Sequence, residues 1–282
     1  MIERLAIVGV GLLGGSVAKA ARAGELAREI VGIGRDRARL EAARRDGALD
    51  RVTTDLHEGV RAADFVLLAA PVLAIEDLLP RVWPAAPDGA TVTDVGSTKC
   101  AIVRRAERLA ATRPLAFVGS HPMAGSEQSG YGVARADLFR GATVILTPTD
   151  RTEPRTVKAV AGFWESLGAR VSTLDPETHD RVVAAISHLP HLIAYALADG
   201  VARFQPEALE FAARGFKDTT RIAASDPDVW TEIFLANREA LRANLEAFRL
   251  ALTDLERAIG TGSREELRAA LARIKVAREA VR

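Results

Sequence analysis

A glycine-rich turn near the start of the chain constrains the fold more than any other feature. The segment Gly9–Gly14 has the pattern G-x-G-x-x-G. It follows an apolar run over Leu5–Val8, typical of a buried strand, and leads into a helix-like run over Ser16–Ala23. A strand, such a turn and a helix in this order predict the first βαβ unit of a parallel sheet that binds a dinucleotide.

Each position of the turn has a physical role in that prediction. Gly9 permits the tight turn, Gly11 lets the backbone approach a pyrophosphate, and Gly14 lets the helix pack closely on the strand. Leu12 and Leu13 lie between these glycines, and the helix N-terminus that follows presents unpaired N–H groups and a partial positive charge to phosphates. The alternative is a glycine-rich turn that binds no ligand.

The end of the second predicted strand, Ile30–Ile33, bears on which dinucleotide fits. An acidic residue there would bind the ribose 2′-hydroxyl of NAD, but the position is Gly34. Arg35 and Arg37 follow, and two guanidinium groups suit a 2′-phosphate, which favours NADP. Asp36 supplies a carboxylate close to that position, so NAD also stays a candidate cofactor. A solvated turn that contacts neither cofactor is the third interpretation.

Strand-like and helix-like segments alternate through the first part of the chain. A helix over Glu153–Leu167 and a strand over Arg170–Leu174 close this region, which predicts a dinucleotide-binding domain over residues 1–174. The fold class is therefore an α/β Rossmann-like N-terminal domain with a mostly parallel sheet. The other predicted strands are Phe65–Ala70, Thr91–Val95, Leu115–Val118 and Thr143–Thr147.

Residues 175–282 contain no convincing strand and predict an all-α C-terminal domain. Ser225–Pro227 has the composition of a helix start, and the apolar spacing from Ile233 to Phe248 predicts one face of a long helix. Gly260–Ser263 then breaks the chain. Ser263 is expected to cap a last helix through about Val281, with a capping box. The long apolar stripes of this domain are buried either within it or against a second copy, and the second alternative predicts a homodimer.

Composition narrows the range of partners. Lys plus Arg total 38 and Asp plus Glu total 37, so nothing in the charge balance points to nucleic acid. The single cysteine, Cys100, excludes an internal disulfide and fits a cytoplasmic protein. No apolar run approaches the roughly 20 residues needed to span a bilayer, so we expect no membrane segment.

Three further segments follow predicted strands, at the sheet edge where α/β proteins bind ligands. Ala70 and Pro71 suit the cofactor crevice, although alone they form a common turn. Ser97 supplies a hydroxyl, or else belongs to a helix cap. His121 lies on a predicted loop, where an unperturbed imidazole is a natural acceptor for a substrate proton; the alternative is an exposed histidine. Ser126 follows in the same loop.

The helical half contributes its own polar residues. His188 and His191 lie three apart, but Pro190 and the lack of a nearby acidic or cysteine partner argue against a metal, so a substrate-facing histidine is preferred. Arg221 can bind a carboxylate through two parallel hydrogen bonds, or it forms an Arg–Asp pair that braces a helix junction. Trp230 completes this polar cluster.

Together these segments resemble the prephenate/arogenate dehydrogenase family of tyrosine biosynthesis. The resemblance runs through five segments in order, namely Gly9–Gly14, Gly96–Lys99, His121–Gly130, Ile186–His191 and Phe216–Trp230. It implies a homodimer and an oxidative decarboxylation in which hydride passes from the substrate ring to NAD or NADP. Prephenate is slightly favoured over arogenate, and no separate regulatory domain is evident.

The resemblance also implies roles for individual residues. His121 would accept the proton of the ring hydroxyl, and Ser97 would orient both that histidine and the hydroxyl. Arg221 would bind a substrate carboxylate, and His188 would contact the polar end, with His191 as the second choice. Trp230 would line the pocket.

Two rival functions remain open at this stage. Another two-domain hydroxyacid dehydrogenase would usually need a lysine base on the helical domain, where Lys217 is the nearest candidate. A dinucleotide sensor without catalysis would need no coincidence of serine, histidine and arginine in one site.

Overall fold

A six-stranded parallel sheet lies at the centre of the first part of the computed structural model, which describes residues 1–280. Its strand order is β3-β2-β1-β4-β5-β6. The four inner strands are mostly buried on both faces, as parallel strands covered by helices require, whereas the two edge strands are partly exposed. They span β1 (Ile2–Val8), β2 (Ala27–Ile33), β3 (Arg51–Thr53), β4 (Phe65–Leu68), β5 (Thr91–Asp94) and β6 (Ala116–Phe117).

Helices cover both faces of this sheet and create two buried apolar clusters. One cluster contains Leu5, Ile7 and Trp164, and the other contains Val8, Ile75 and Trp83. The parallel order with crossover helices confirms the predicted Rossmann-like fold class. The helices are α1 (Leu12–Ala23), α2 (Arg37–Arg45), α3 (Leu56–Val60), α4 (Val72–Ala85) and α5 (Cys100–Ala110).

A second, three-stranded sheet corrects one expectation. The predicted strand Leu115–Val118 is short in the first sheet, and the chain continues into β7 (Gly119–Pro122), which pairs antiparallel with β8 (Thr143–Thr147). β8 pairs in parallel with β9 (Arg170–Thr173), and α6 (Pro154–Ser166) precedes β9 as predicted. His121 therefore lies in a buried strand rather than on a loop.

A helix of 29 residues, Pro176–Phe204, follows the second sheet. It consists of α7 (Pro176–Val183), a π-helical turn (Ala184–His188) and α8 (Leu189–Phe204). By length and composition alone it is apolar enough to cross a membrane, contrary to expectation. Its polar residues His179, Asp180 and His188 are buried, however, as in a helix packed on protein.

The remaining helices confirm the all-α character of the second half within residues 175–280. α9 (Arg214–Thr220) and α10 (Pro227–Ala236) precede Asn237, where the long predicted helix is interrupted. α10 begins as predicted, with Asp226 accepting a hydrogen bond from the backbone N–H of Asp228. A 3-10 turn at Arg221–Ala224 separates α9 from α10.

Contacts divide the chain into two units, Met1–Asn237 and Arg238–Arg282. The second unit is a pair of helices, α11 (Arg238–Gly260) and α12 (Arg264–Glu279). Ser263 caps α12 as predicted, but the Glu266 carboxylate accepts from the Thr261 hydroxyl rather than completing a capping box. The predicted helix end at Val281 lies outside the described residues.

Candidate active site

The glycine turn between β1 and α1 is shaped by close backbone contacts. Gly9 has φ of 99°, and a Cβ there would overlap the carbonyl oxygen of Ala69. A Cβ on Gly14 would overlap the carbonyl oxygen of Gly9 and lie 3.0 Å from Ile7 Cγ2. Both positions therefore require glycine for reasons internal to the fold.

Gly11 differs from Gly9 and Gly14 because no contact within the fold requires a glycine at this position. A Cβ on Gly11 would meet nothing within 4 Å. Gly11 is also the N-cap of α1 and makes no side-chain capping bond, so the first-turn N–H groups of Leu12 and Leu13 have no cap. Open space beside uncapped N–H groups is what a phosphate needs, and the turn therefore fits a dinucleotide.

Two further predicted segments lie near this turn. Ala70 and Pro71 follow β4 directly beside Gly9, since the backbone N–H of Ala69 donates to Val8 O at 2.7 Å. Pro71 is the N-cap of α4, and the backbone N–H of Leu73 donates to Glu232 Oε2 at 3.1 Å. The structure thus places Ala70 and Pro71 at the carboxyl-terminal edge of the sheet, beside the glycine turn.

The charged turn after β2 divides into two kinds of residue. Asp36 is the N-cap of α2: its Oδ1 accepts from the N–H of Arg39 at 3.1 Å, and its Oδ2 pairs with Arg39 Nε at 3.0 Å. Arg35 is exposed and makes no hydrogen bond or ion pair to any residue among 1–280. The carboxylate is therefore engaged by the helix, whereas the guanidinium at position 35 is available to a ligand.

A chain of buried polar groups leads from α7 to His121. Asp180 Oδ1 contacts His179 Nδ1 at 2.8 Å, and His179 Nε2 contacts His121 Nδ1 at 2.9 Å. Asp180 also accepts from the backbone N–H groups of Lys99 at 2.8 Å and Cys100 at 3.0 Å, at the N-terminus of α5. Three donors therefore hold this carboxylate in one place.

The direction of these hydrogen bonds determines which ring nitrogen of His121 carries a hydrogen. A carboxylate can only accept, so His179 Nδ1 donates to Asp180 and neutral His179 keeps a lone pair on Nε2. His121 Nδ1 must then donate to that lone pair. The lone pair of neutral His121 consequently lies on Nε2, which bonds to no protein atom among residues 1–280.

Burial sets the charge state of these groups. Burial, with additional repulsion from His179, Lys99 and His188, holds the pKa of His121 well below its ordinary value. Burial also lowers the pKa of His179, although Asp180 opposes this. Burial alone would raise the pKa of Asp180, but its hydrogen bonds from His179 and the α5 backbone outweigh burial and lower it. At neutral pH the side chain of Asp180 is therefore a carboxylate, and those of His179 and His121 are neutral imidazoles.

A buried ion pair fixes β7 against the central sheet. The side chain of Lys99 is fully buried, forms an ion pair with Asp94 and donates to the backbone carbonyl of Ser120 at 2.8 Å. Asp94 Oδ1 in turn accepts from the N–H of Ser120 at 3.2 Å. Burial lowers the pKa of Lys99, and Asp94 opposes this. Ser120 immediately precedes His121, so the pair positions the imidazole.

The π-helical turn determines where His188 lies. His179 and His188 are nine residues apart, and at about 100° per residue they would occupy opposite faces of an uninterrupted α-helix. The wider turn at Ala184–His188 changes this phase. As a result, one amide, Asn237 Nδ2, reaches both the carbonyl of Asp180 at 2.7 Å and His188 Nδ1 at 3.2 Å.

His188 is left with an unpaired donor. The Asp180 carbonyl must accept, so the group bonded to it is the Asn237 amide nitrogen, which also donates to His188 Nδ1. The hydrogen of neutral His188 is then on Nε2, a buried atom with no hydrogen-bond partner among residues 1–280. Burial lowers the pKa of His188 to about 4, so the ring is neutral.

His191, Trp230 and Arg221 form the other side of the site. The rings of His191 and Trp230 stack with centroids 3.4 Å apart, and His188 meets Trp230 edge-on at 6.1 Å. Burial lowers the pKa of His191, and the nearby charge of Arg221 adds to this effect. Arg221 Nη1 pairs with Glu127 Oε2 at 2.8 Å, not with an aspartate. These aromatic and basic groups therefore form one continuous cluster.

Ser97 and Ser126 have fewer contacts. Ser97 is half-buried on the segment after β5 and makes no hydrogen bond to any residue among 1–280. The contact that would orient His121, assigned to Ser97 by the resemblance, is made by His179 instead. Ser126 is exposed, and its hydroxyl bonds with the backbone of Gln128. The contacts of both serines with a ligand stay predictions.

Comparison with known proteins identifies the family to which this sequence belongs. Residues 17–173 match the family described as "Prephenate dehydrogenase, nucleotide-binding domain", and residues 175–273 match "Prephenate dehydrogenase, dimerization domain". A cyclohexadienyl dehydrogenase of Zymomonas mobilis is 34% identical over 267 residues, covering 93% of this chain and 90% of that protein. The chain belongs to the prephenate dehydrogenase family.

Solved structures agree with this membership. A prephenate dehydrogenase from Aquifex aeolicus, crystallised with hydroxyphenyl propionate and NAD+, is 36% identical, with a TM-score of 0.93 and coverage of 100% and 99% of the two chains. An arogenate dehydrogenase from Synechocystis is 31% identical, with a TM-score of 0.83 and coverage of 98% and 99%. The predictions of a dehydrogenase of this family and of NAD or NADP as cofactor are confirmed.

Sequence reasoning missed three residues of this buried polar cluster. His179 and Asp180 were not singled out, and neither was Asn237. One signal was available for the first two, because three of the five histidines lie between positions 179 and 191. Asn237 gave no such signal, since a single asparagine between two helical segments is typical of a helix end.

Proposed function

We propose that this prephenate dehydrogenase family member oxidatively decarboxylates prephenate to 4-hydroxyphenylpyruvate with hydride transfer to NAD(P)+. The observation that carries the proposal is the Asp180–His179–His121 chain, which leaves His121 with a proton-accepting Nε2 in a buried setting. Loss of hydride from a carbon bearing a hydroxyl makes that hydroxyl acidic, so a positioned base is the group the reaction needs. Nucleotide binding at the glycine turn beside β4 supports the same site.

Different residues act on the ring hydroxyl and on a carboxylate of the substrate. His121 accepts the proton of the ring hydroxyl, and Ser97 contacts that hydroxyl. Arg221 binds a substrate carboxylate; Glu127 occupies only Nη1, so the rest of the guanidinium remains available. Aromatisation drives the departure of the ring carboxylate as carbon dioxide, so the protein mainly supplies orientation and charge.

The polar end of the substrate would lie against the helical cluster. The buried Nε2–H of His188 can donate to a carbonyl oxygen but not to an ammonium group, which itself only donates. This supports prephenate, which has a keto group where arogenate has an amine. Glu127 also favours prephenate, because its carboxylate is already paired with Arg221. Trp230 lines the pocket, with Ser126 at its rim.

For the cofactor, the pyrophosphate would lie against the backbone of Gly11 and the N–H groups of Leu12 and Leu13, in the turn that Gly9 and Gly14 shape, with Ala70 and Pro71 lining the crevice. When bound, the nicotinamide supplies the hydride acceptor. Of the two nucleotides we favour NADP, because Arg35 is free to pair with a 2′-phosphate whereas Asp36 is engaged as a helix cap.

The Arg35→Ala variant tests the cofactor proposal. Loss of one charge-assisted contact to a 2′-phosphate should raise the Kd for NADP about 10-fold or more and leave the Kd for NAD within about twofold. Fluorescence titration with each nucleotide measures both constants. Equal effects on the two cofactors would remove the basis for NADP.

The proposal also covers the oligomeric state of the protein, its domain boundary and its location in the cell. The second half matches a family region described as a dimerization domain, and we propose a homodimer formed through it. We also propose that the functional division of the chain lies at residues 174 and 175. The protein is expected to be soluble and cytoplasmic, with no nucleic-acid or membrane partner.

An assay of the purified protein with prephenate or arogenate, each with NAD+ or NADP+, tests the proposed function. Formation of reduced cofactor and release of carbon dioxide are measured together. We expect turnover with prephenate, faster with NADP+ than with NAD+. Turnover with arogenate alone would reassign the substrate, and reduced cofactor without carbon dioxide would indicate another dehydrogenase.

A further inference from the structure

We propose that His121 and His179 accept the substrate proton as a pair, and that the resulting positive charge rests on His179 beside Asp180. This inference rests on the proposed function, because it concerns the proton that leaves the ring hydroxyl during the hydride transfer of that reaction. It starts from the geometry: both rings are buried, their facing nitrogens are 2.9 Å apart, and only His179 contacts a carboxylate.

The proton movements balance as follows. The O–H bond of the substrate breaks, its electron pair stays on oxygen, and the proton bonds to Nε2 of His121. The Nδ1–H bond of His121 breaks in the same event, and that proton bonds to Nε2 of His179. At the end of hydride transfer His121 is neutral in its other tautomer, His179 is an imidazolium, and Asp180 stays a carboxylate that accepts from His179 Nδ1. When carbon dioxide leaves and the ring becomes aromatic, the ring oxygen takes the proton back by the reverse transfers. The product is then a phenol, and both histidines return to their starting state. Apart from the hydride transfer already proposed, no oxidant or reductant is required.

The charged groups around the pair explain why the charge should move on. The central sheet and the segment after β5 present Asp94 and Lys99, which form a pair of their own. Helix α7 presents Asp180, and the π-helical turn presents His188, which is neutral. A charge left on His121 would face Lys99 with no carboxylate in contact, whereas a charge on His179 is 2.8 Å from Asp180.

Asp180 is suited to hold that charge without taking the proton. Its two oxygens already accept hydrogen bonds from the backbone N–H groups of Lys99 and Cys100. These bonds come from the N-terminus of α5, where a negative charge is stabilised. The carboxylate therefore keeps its charge and its position while His179 changes protonation.

The His179→Gln variant separates proton acceptance from packing. A glutamine oxygen can still accept from His121 Nδ1–H, which preserves the tautomer, but an amide takes no proton at neutral pH. The matched control is His57→Gln, because His57 is exposed on α3 and lies outside the chain of hydrogen bonds. For each protein, kcat and KM are measured from pH 5 to 10 with saturating cofactor.

For His179→Gln we expect kcat to fall about 100-fold with KM within about threefold. This is the lower end of the range for general acid–base catalysis, because His121 itself is still present. The acidic limb of the kcat profile should also move about one unit or more to lower pH. The reason is that solvent protons enter the same pair at low pH, and the variant lacks the site stabilised by Asp180. The His57→Gln control should match the unchanged protein in every respect.

Two results would overturn the inference while leaving the proposed function intact. One is a variant whose kcat and acidic limb equal those of the unchanged protein. The other is a lower kcat with an unmoved acidic limb, which would show that His179 only packs. Failure of the unchanged protein to oxidise prephenate at all would instead refute the proposed function.

The unchanged protein provides a second test if the variant does not fold. Single-turnover rates are measured in mixtures of H2O and D2O. Two protons moving together predict a curved dependence of rate on the deuterium fraction. A straight line, which indicates one moving proton, would contradict the transfer to His179.

Discussion

At the scale of single residues, Arg221 offers the clearest test of substrate binding. In Arg221→Ala, loss of a charge-assisted contact with a substrate carboxylate should raise KM for prephenate about 10- to 100-fold with kcat within about threefold. Arg214→Ala is the matched control, since Arg214 is exposed on α9 and pairs with Asp218 on the same helix. Initial-rate kinetics measure both variants. If KM of the two variants were the same, carboxylate binding by Arg221 would be refuted.

The buried His188 also predicts a pH dependence of stability. Its folded pKa is about 4, below the ordinary value of 6.5, so between these values the unfolded chain binds a proton that the folded protein does not. This contribution to the free energy of unfolding is complete above pH 6.5 and is lost as the pH falls toward 4. It amounts to about 2–3 kcal/mol.

Urea unfolding of the unchanged protein and of His188→Gln at pH 7 and pH 4.5 measures that contribution. The loss of stability between the two pH values should be smaller in His188→Gln by about 2 kcal/mol. In His57→Gln, where the histidine is exposed, the loss should equal that of the unchanged protein. An equal loss in all three proteins would show that His188 is not buried as a neutral ring.

Individual residues show the limit of prediction from sequence. His121 was singled out because it follows a sheet strand, and Arg221 because its guanidinium can bind a carboxylate, and the roles of both stay predictions. His179 and Asp180 were missed because their role depends on contacts with β7 and α5, which are distant along the chain. Long-range contacts of this kind leave no periodic signal in the sequence.

At the scale of elements, the glycine turn before α1 predicts opposite outcomes for two substitutions. Gly14→Ala should destabilise the protein by about 1–3 kcal/mol, because its Cβ would overlap the Gly9 carbonyl. Gly11→Ala should leave the melting temperature nearly unchanged, because its Cβ meets nothing within 4 Å, yet weaken NADP binding about 10-fold or more. Thermal unfolding and nucleotide titration distinguish the two. Full nucleotide affinity in Gly11→Ala would argue that no phosphate approaches this turn.

Elements with strong patterns were predicted well from sequence. The parallel strands, α6 and the cap of α12 each follow from apolar period, strand composition or capping residues. β3 has three residues and was not predicted, because so short a strand carries no pattern. The π-helical turn was also missed, since a one-residue change of helix phase is visible only once its neighbours are placed.

At the scale of the whole molecule, the second unit exposes apolar side chains that a homodimer would bury. Leu252, Ile259 and Ile274 are more than two-fifths exposed on α11 and α12. Two helices alone bury too little apolar surface to be stable, so a second copy is the expected cover. Ile259→Arg should therefore shift the protein from dimer to monomer, measured by light scattering. Arg249→Ala, at an exposed surface pair on α11, should remain dimeric. A monomeric unchanged protein would contradict this.

The kinetics of His121→Asn with prephenate test the proposed proton transfer to His121 most directly. Asparagine keeps a hydrogen-bonding side chain but cannot accept the hydroxyl proton. We expect kcat to fall about 100- to 10,000-fold while KM and the Kd for NADP stay within about threefold. A variant that retains the kcat of the unchanged protein would contradict the central claim that the proton of the ring hydroxyl passes to His121.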